Sequence, residues 1–345
     1  MKAVVYTKYG PPEVLQIKEV EKPRPKDNEV LIRIYATSVT VADSRVRGFK
    51  VPLSFWIPAR LALGITKPKN SIPGGELSGE IELVGRDVKQ FKKGDRVFAF
   101  TGHKMGANAG YCCVAENGCL AIKPGNLSHE EAAVITFGGI TALQFLRKGN
   151  IKPGDRVLIY GASGSVGTYA VQLAKYFGAV VTGVCSTANL EMVQSLGADH
   201  VIDYITTDFT KTGRHYDFIF DTVGKTTVYR TIKVLNPTGT YIHAVTTPAT
   251  ALRIRLGLIG SKKKLVGGSY KSNAEQINFL KKLVEEGTIK PVIDRQYPIE
   301  QIIEAHRYVD QGHKKGNVGI TVWREEWTSG CLCITHCNKS LIMVQ

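Results

Sequence analysis

Long apolar runs are missing from this 345-residue chain. No stretch approaches the roughly 18 uninterrupted apolar residues that a membrane-spanning helix needs, so the sequence predicts no membrane span. The N-terminal stretch MKAVVYTKYGPP reads as a short strand and a turn, and it lacks the apolar segment of a secretory signal peptide. We therefore expect a cytoplasmic protein, with peripheral association with a membrane as the alternative.

A dense basic stripe and a recognisable nucleic-acid-binding module are also missing, although the formal net charge is +15. Small lysine clusters recur at Lys262–Lys264, Lys281–Lys282 and Lys314–Lys315. Diffuse positive charge of this kind is typical of a solvated surface plus an anionic cofactor. Nucleic acid or an anionic membrane surface stays open as an alternative partner. The seven cysteines are interpreted as reduced thiols.

The strongest pattern in the chain is a glycine-rich turn between a strand and a helix. Apolar Val157–Tyr160 predicts a buried parallel strand, Thr168–Phe177 a helix with an apolar face, and Val180–Cys185 a second strand. This order within about thirty residues is the context of a dinucleotide-binding fingerprint, in which the turn and the helix N-terminus bind a pyrophosphate. The predicted cofactor residues of the turn are Gly161, Ala162, Ser163, Gly164, Ser165, Val166 and Gly167.

The residues after the second strand bear on the choice between NADH and NADPH. The acidic residue that grips the ribose hydroxyls of NAD is absent there, and Ser186 and Thr187 offer hydroxyls instead. We expect these hydroxyls to bind the 2′-phosphate of NADPH, with Lys175 as the cation and Tyr204 beside it. The alternative for Lys175 is a solvated helix lysine. NADPH is therefore the predicted cofactor, and NADH is less favoured.

The remainder of the chain divides into a β-rich part and a continuing βα rhythm. Residues 1–125 contain short apolar or alternating runs separated by Gly, Pro and Asp-Asn, which predicts a small barrel or sandwich. Within them, Phe49–Asn70 fits a mobile lid, a membrane-surface contact or a packed surface loop. Later strands are predicted at 216–221, 239–245 and 264–270. Ligands lie beyond the carboxyl ends of such strands, which predicts cofactor contacts at Val223, Gly224, His243 and Val245.

Several short motifs recur together along the chain. They are G-P-P-E-V-L at 10–15, P-G-G-E-L-S-G at 73–79, K-G-D-R-V-F at 93–98, G-I-T-A-L at 139–143, S-L-G-A-D at 195–199 and F-D-T-V-G at 220–224. With these motifs and the glycine turn, residues 1–323 resemble the medium-chain dehydrogenase/reductase superfamily, in its zinc-independent quinone oxidoreductase branch.

The resemblance implies an α/β fold of two domains. A GroES-like β-barrel-type catalytic domain is expected over 1–125, completed by about 271–323, with a doubly wound parallel Rossmann sheet over 126–270. The resemblance also implies NADPH as the hydride donor, Thr141 as a cofactor contact and a homodimer. The predicted function is zinc-independent transfer of hydride from NADPH to a small hydrophobic quinone or α,β-unsaturated carbonyl.

The positions that hold catalytic zinc in other members of the superfamily carry different residues here. Ser38 stands where the first ligand is Cys, Gly75 stands where the ligand is His, and the four-cysteine loop of structural zinc is absent. Without thiolate or imidazole donors a tetrahedral zinc site is not expected. The sequence therefore predicts no metal.

A metal-free site still needs a donor for the developing oxyanion and a source of a proton. Thr40, Asp43 and Glu76 are the candidate catalytic residues, although relatives often carry Asn where Thr40 stands. Asp43 is alternatively a helix N-cap, and Glu76 a remnant of the lost metal site or a structural hydrogen-bond partner. The alternative functions are an NADPH-binding regulatory protein whose basic surface binds nucleic acid or membrane and, more distantly, a zinc-free alcohol dehydrogenase.

The last 22 residues, 324–345, depart from the family pattern, which ends near Trp323. Their Cys331, Cys333, His336 and Cys337 match no established zinc spacing. We expect a disordered or non-native tail, with binding of a soft metal by these four residues as the alternative.

Overall fold

The computed structural model describes residues 1–52, 56–244, 248–268 and 272–323. The predicted cofactor residue Val245 and the tail 324–345 lie outside the described residues. The strands are β1 (Lys2–Val5), β2 (Gln16–Glu19), β3 (Glu29–Ser38), β4 (Glu76–Val84), β5 (Arg96–Phe100), β6 (Tyr111–Ala115), β7 (Cys119–Ile122), β8 (Arg156–Tyr160), β9 (Val180–Cys185), β10 (His200–Asp203), β11 (Tyr216–Asp221), β12 (Leu235–His243), β13 (Lys264–Val266), β14 (Ile293–Pro298) and β15 (Asn317–Thr321).

The α-helices connect these strands and cover the sheets. They are α1 (Val41–Arg47), α2 (Trp56–Leu63), α3 (His129–Ala133), α4 (Thr136–Gly149), α5 (Ser165–Tyr176), α6 (Leu190–Ser195), α7 (Val228–Lys233), α8 (Pro248–Gly257), α9 (Ala274–Glu285) and α10 (Ile302–Asp310). Among the described residues, no helix is long and apolar enough to cross a membrane.

A mostly antiparallel sheet is built from both ends of the chain. Its strand order is β14-β15-β3-β4-β5-β7, and β6 also pairs with β3. The central strand β3 is long and almost wholly buried, which suits its run of β-branched and apolar residues. Because β15 pairs with β3 near Ser38, the C-terminal strands lie beside the residues that follow β3.

The second sheet is parallel throughout, with the order β10-β9-β8-β11-β12-β13. The chain runs outward from β8 to β10 on one side and from β11 to β13 on the other. The crevice between the carboxyl ends of β8 and β11 is therefore the switch point at which such sheets bind nucleotides. The predicted doubly wound sheet is confirmed.

Several predicted boundaries differ from the structure. The helix after the glycine turn begins at Ser165 rather than Thr168, because Gly164 is the extended N-cap residue. The last parallel strand ends at Val266, and the predicted end at Tyr270 lies outside the described residues. Ser128 and Glu131 form a capping box that begins α3. Strands β7 and β14 and helices α2 and α8 were not predicted.

Candidate cofactor and catalytic site

The glycine turn joins β8 to α5 at the switch point of the parallel sheet. Gly161 has a φ of 80°, which favours glycine, and a Cβ there would lie 2.4 Å from Cγ2 of Val223. A Cβ at Gly167 would lie 2.1 Å from the carbonyl oxygen of Gly161, so this glycine lets α5 pack directly on the turn. The backbone amides of Gly161 and Ala162 both donate to the carbonyl of Val184, each at 3.0 Å. These contacts fix the turn against β9.

Gly164 is used differently from the other two glycines. A Cβ built there would meet only the carbonyl oxygen of Gly161, at 3.5 Å. Among the described residues, a side chain at Gly164 would thus have room at the position where the fingerprint places a pyrophosphate. The side chain of Ser165 donates to Oδ1 of Asn317 at 2.5 Å, and Ser163 accepts from the amide of Gly316 at 2.7 Å. A C-terminal segment therefore packs on the turn.

The carboxyl ends of β11 and β12 contribute the next predicted residues. The carboxylate of Asp221 accepts from the amides of Val223 and Gly224 at 2.9 and 2.7 Å and so shapes the turn after β11. His243 ends β12 directly opposite Asp221 and is almost fully buried. Burial lowers the pKa of its imidazole, and the charge of Asp221 opposes that shift. The structure brings Val223, Gly224 and His243 to the same edge as the glycine turn.

Thr141 lies one helical turn into α4, behind the glycine turn. It is buried, and its hydroxyl donates to the carbonyl of Phe137 at 2.6 Å. Helix α4 approaches α5 closely at Gly138, where a Cβ would lie 2.7 Å from the carbonyl oxygen of Ser165. The predicted contact from Thr141 is therefore placed next to the start of α5.

Beyond the end of β9 the structure adds a carboxylate that the sequence did not indicate. Thr187 donates from Oγ1 to Oδ2 of Asp203 at 2.5 Å, and Asp203 also accepts from the amide of Ile205 at 2.9 Å. Asp203 ends β10 beside Cys185 of β9. Tyr204 follows and is half-exposed, and Ser186 is partly buried. The predicted ribose end thus contains Ser186, Thr187 and Tyr204 but also an acidic neighbour.

Lys175 is not part of this group, which corrects the assignment of this residue as the phosphate-binding cation. Its Nζ pairs with both carboxylate oxygens of Asp199, at 2.8 and 2.9 Å. Asp199 accepts from the amide of Val181, so the pair lies at the amino end of β9. Five residues of strand at about 3.3 Å each separate that end from Ser186. The lysine is held at the opposite edge of the sheet from the nucleotide crevice.

Glu76 is the centre of a buried polar cluster at the start of β4. Its carboxylate accepts from Ser38 Oγ at 2.5 Å, from Thr136 Oγ1 at 2.9 Å and from the amide of Phe137 at 2.5 Å. Burial raises the pKa of this carboxyl to about 7, the charge of Asp43 adds to the shift, and the three hydrogen bonds oppose it. A carboxyl of this kind holds or releases a proton near neutral pH.

Thr40 and Asp43 form the capping box of α1. The Thr40 amide and hydroxyl donate to Oδ2 of Asp43 at 2.8 and 2.6 Å, and the Asp43 amide donates back to Thr40 Oγ1 at 3.2 Å. Thr40 is therefore the N-cap, and Asp43 occupies the third helical position rather than the N-cap position considered from the sequence. Burial raises the pKa of Asp43, while the hydrogen bonds from Thr40 oppose the shift. The hydroxyl hydrogen of Thr40 is committed to the cap.

Two residues of the C-terminal segment were missed by sequence reasoning. Lys314 is buried, and its Nζ donates to the carbonyl of Gly316. Burial lowers the pKa of its ammonium to about 8, opposed by the charges of Glu76 and Asp294. Asn317 reaches Ser165 as described above. Asn317 begins β15 and Lys314 precedes it, and β15 pairs with β3 from the other end of the chain, so no local sequence signal could have found them.

The donor set at the position of the superfamily's catalytic metal does not fit zinc. Ser38 offers a hydroxyl that is bound to Glu76, and Gly75 offers no side chain. Over the described ranges no group of three or more His, Cys, Asp or Glu side chains is arranged to hold a metal ion. Zinc sites are built from thiolate and imidazole donors with some carboxylates.

Comparison with known proteins shows which families this chain matches. Residues 26–142 match the family described as "Alcohol dehydrogenase GroES-like domain", and residues 196–318 match "Zinc-binding dehydrogenase". The chain is 32% identical over 331 residues to the chloroplast envelope quinone oxidoreductase homolog of Arabidopsis thaliana, covering 92% of this chain and 97% of that protein. It is 30% identical over 332 residues to the chloroplastic NADPH-dependent alkenal/one oxidoreductase of the same plant, with coverage of 93% and 79%.

A solved structure shares the whole architecture. The quinone oxidoreductase from Coxiella burnetii superposes with a TM-score of 0.84 at 29% identity, covering 94% of this chain and 99% of that chain. A GroES-like domain joined to a parallel dinucleotide-binding sheet defines a class of nicotinamide-dependent dehydrogenases and reductases. Within that class, the chain belongs to the medium-chain dehydrogenase/reductase superfamily, in its zinc-independent quinone oxidoreductase branch, and is an NAD(P)H-dependent oxidoreductase. The predicted family and fold class are confirmed.

Proposed function

We propose that this protein transfers a hydride from NADPH to a quinone or to an α,β-unsaturated ketone or aldehyde. The observation that carries the proposal is the glycine turn at the switch point, which has room beside Gly164 among the described residues. The 314–317 segment packs on this turn, and its Lys314 lies within electrostatic reach of the buried Glu76. The relatives named as a quinone oxidoreductase homolog and an alkenal/one oxidoreductase support the acceptor class.

The roles of the cofactor residues follow from their positions. The amides at the N-terminus of α5 bind the pyrophosphate, because they have no intrahelical partner and carry the positive end of the helix dipole. Val223, Gly224 and His243 line the crevice at the ends of β11 and β12, and Thr141 supports the turn from α4. A nicotinamide bound here supplies the hydride, and the chain supplies position and electrostatics.

Proton supply is assigned to the pair formed by Glu76 and Ser38. Reduction of an enone or a quinone needs a proton as well as a hydride. With a pKa of about 7, Glu76 is close to half-protonated at neutral pH, and its hydrogen bond to Ser38 gives the proton a path. Thr40 and Asp43 are positioning residues that fix the start of α1. Lys314 holds positive charge within electrostatic reach of Glu76.

NADPH is proposed over NADH for two reasons. The end of β9 carries the hydroxyls of Ser186 and Thr187 rather than a carboxylate, and one relative is named as NADPH-dependent. Asp203 weakens this preference, because its charge lies close to the expected 2′-phosphate. Its two hydrogen bonds, from Thr187 and Ile205, partly offset that charge.

The remaining expectations from the sequence are kept as proposals. The reaction is proposed to need no zinc, because Ser38 and Gly75 replace the thiolate and imidazole donors. The homodimer is supported by the free edge of β13, which pairs with β12 alone among the described strands. A cytoplasmic location remains a prediction.

Steady-state oxidation of NADPH in the presence of a chelator tests the function. We expect turnover with a simple quinone and with a short enone, and slower turnover with NADH. Tight binding of NADPH with turnover of neither acceptor would favour the regulatory-protein alternative.

A further inference from the structure

The positive charge of the chain is concentrated in two segments that contain no acidic residue. Six lysines and arginines lie between Asp43 and Glu76, and nine lie between Asp221 and Glu275. The other basic residues balance the 30 acidic residues, so these two segments account for the whole net charge of +15. The excess positive charge is therefore local, which corrects the expectation of a diffuse basic surface.

Each acid-free segment contains a helix with exposed apolar side chains, but the two use their cations differently. In the first segment, the Arg60 guanidinium stacks 3.8 Å above the ring of Phe49 and donates to the carbonyl of Ile65. Lys69 donates to the carbonyl of Leu61 at 2.6 Å. Arg60 and Lys69 thus stabilise the local fold around α2.

Around α8 the basic side chains are exposed to solvent. Leu252, Leu256 and Ile259 are 59%, 57% and 75% exposed, and only Ile254 of α8 is buried. Leu252 and Leu256 are one turn apart and share a face. Arg253, Arg255 and Lys262 are exposed beside them. Across the described residues, no carboxylate pairs with these three cations, and we call these six residues the α8 surface.

The combination of aliphatic and cationic groups identifies the partner. A second copy seated on this surface would bring one set of cations against another, and the charges would repel, so the proposed homodimer would use the backbone edge of β13 and not the α8 surface. Nucleic acid would neutralise the cations but leave the aliphatic side chains in water, because it is bound through phosphates and stacked bases. An anionic lipid surface accepts both, since its headgroups attract lysine and arginine and its acyl boundary takes leucine and isoleucine.

We propose that the α8 surface docks this protein on an anionic membrane surface. Helix α8 begins shortly after His243, at the carboxyl edge of the parallel sheet, so docking through α8 brings the nucleotide crevice close to the lipid. The inference rests on charge and exposure and does not depend on which hydride acceptor the enzyme uses.

Flotation with vesicles of phosphatidylcholine, alone or mixed with phosphatidylserine, tests the proposal. The full chain is expected to float only with the anionic vesicles and to be released by salt. The triple variant R253Q/R255Q/K262Q is expected to bind about 100-fold more weakly, because each basic residue near such a surface contributes about a fivefold gain. Replacing Leu252, Leu256 and Ile259 by serine is expected to weaken binding to the anionic vesicles at low salt as well, because the acyl boundary then loses its aliphatic contacts.

The matched control is K89Q/K92Q/K93Q, which removes three exposed lysines outside both acid-free segments. Its vesicle binding is expected to fall much less than that of the α8 charge variant. All variants should keep the melting temperature and NADPH turnover of the parent, because none of these side chains is buried. Equal flotation with neutral vesicles, equal losses in the two charge variants, or binding of single-stranded RNA without binding of vesicles would overturn the proposal.

Discussion

Two alanine substitutions in the glycine turn separate the packing role of one glycine from the ligand-binding role of another. In Gly167→Ala the new Cβ would lie 2.1 Å from the carbonyl oxygen of Gly161, so the backbone of the turn or of α5 must shift. Overpacking of this kind costs about 3 kcal/mol at the upper end of its usual range, and the better helix propensity of alanine returns about 1 kcal/mol. We expect a net loss of about 2 kcal/mol.

In Gly164→Ala the new Cβ has 3.5 Å to its nearest neighbour, and the φ of −83° suits alanine. Stability should therefore change by no more than about 0.5 kcal/mol. The methyl group, however, occupies the space proposed for the pyrophosphate, and a steric cost of about 1–3 kcal/mol corresponds to a roughly 5- to 150-fold rise in the NADPH dissociation constant.

The assay for this pair is thermal unfolding of the cofactor-free protein together with fluorescence titration of NADPH. The expected result is a crossed pattern, with Gly167→Ala losing stability and Gly164→Ala losing affinity. Unchanged NADPH affinity in Gly164→Ala would refute the placement of the pyrophosphate in front of α5. Unchanged stability in Gly167→Ala would refute the close-packing account of that position.

Three further predictions concern charged groups of the structure. Because the folded pKa of Glu76 is raised from 4.5 to about 7, this group lowers stability progressively as pH rises through that window, by up to about 3 kcal/mol. Glu76→Gln should flatten that part of the urea-unfolding pH profile and remove an apparent pKa near 7 from kcat/KM; a profile identical to the parent's would exclude the assigned role. Burial lowers the pKa of the His306 imidazole to about 3. The contribution of the neutral imidazole to folding stability is therefore present above pH 6.5 and is lost as pH falls towards 3. His306→Gln should move the acid-unfolding midpoint to lower pH, and a midpoint moved upward would contradict this. Asp203→Asn should raise the kcat/KM ratio of NADPH to NADH, since a negative charge near the 2′-phosphate is removed; a lowered ratio would show that the carboxylate helps to bind NADPH through Thr187.

The part of the site that is contiguous in sequence could be predicted. The glycine turn, its two strands and its helix follow one another along the chain, and both the turn chemistry and the hydrophobic periodicity are local properties. The rule that ligands lie beyond the carboxyl ends of parallel strands then placed Val223, Gly224 and His243 at the same edge as the turn.

The assignment of Lys175 is wrong because this residue lies too far along α5 from the glycine turn. Lys175 lies ten residues after Ser165 in α5, and at about 1.5 Å per residue that is roughly 15 Å from the turn. The same conversion applied to the third strand would have found Asp203, which is level with Cys185 at the ribose end.

The catalytic part of the site depends on tertiary structure. The pKa of Glu76 is set by burial, which no local pattern reports. Asn317 reaches the glycine turn from a strand at the other end of the chain, and Lys314 lies just before that strand. The capping box of Thr40 and Asp43 was partly foreseen, although the N-cap is Thr40.

Transfer of label from NADPH carrying deuterium at the reactive C4 position to a short enone, in the presence of a chelator, tests the central claim most directly. Mass spectrometry of the product should show one deuterium on the β-carbon, together with a solvent proton on the α-carbon. Glu76→Gln should slow this transfer while keeping the position of the label. Absence of deuterium from the product, or transfer that stops when the chelator is added, would contradict zinc-independent hydride transfer by this chain.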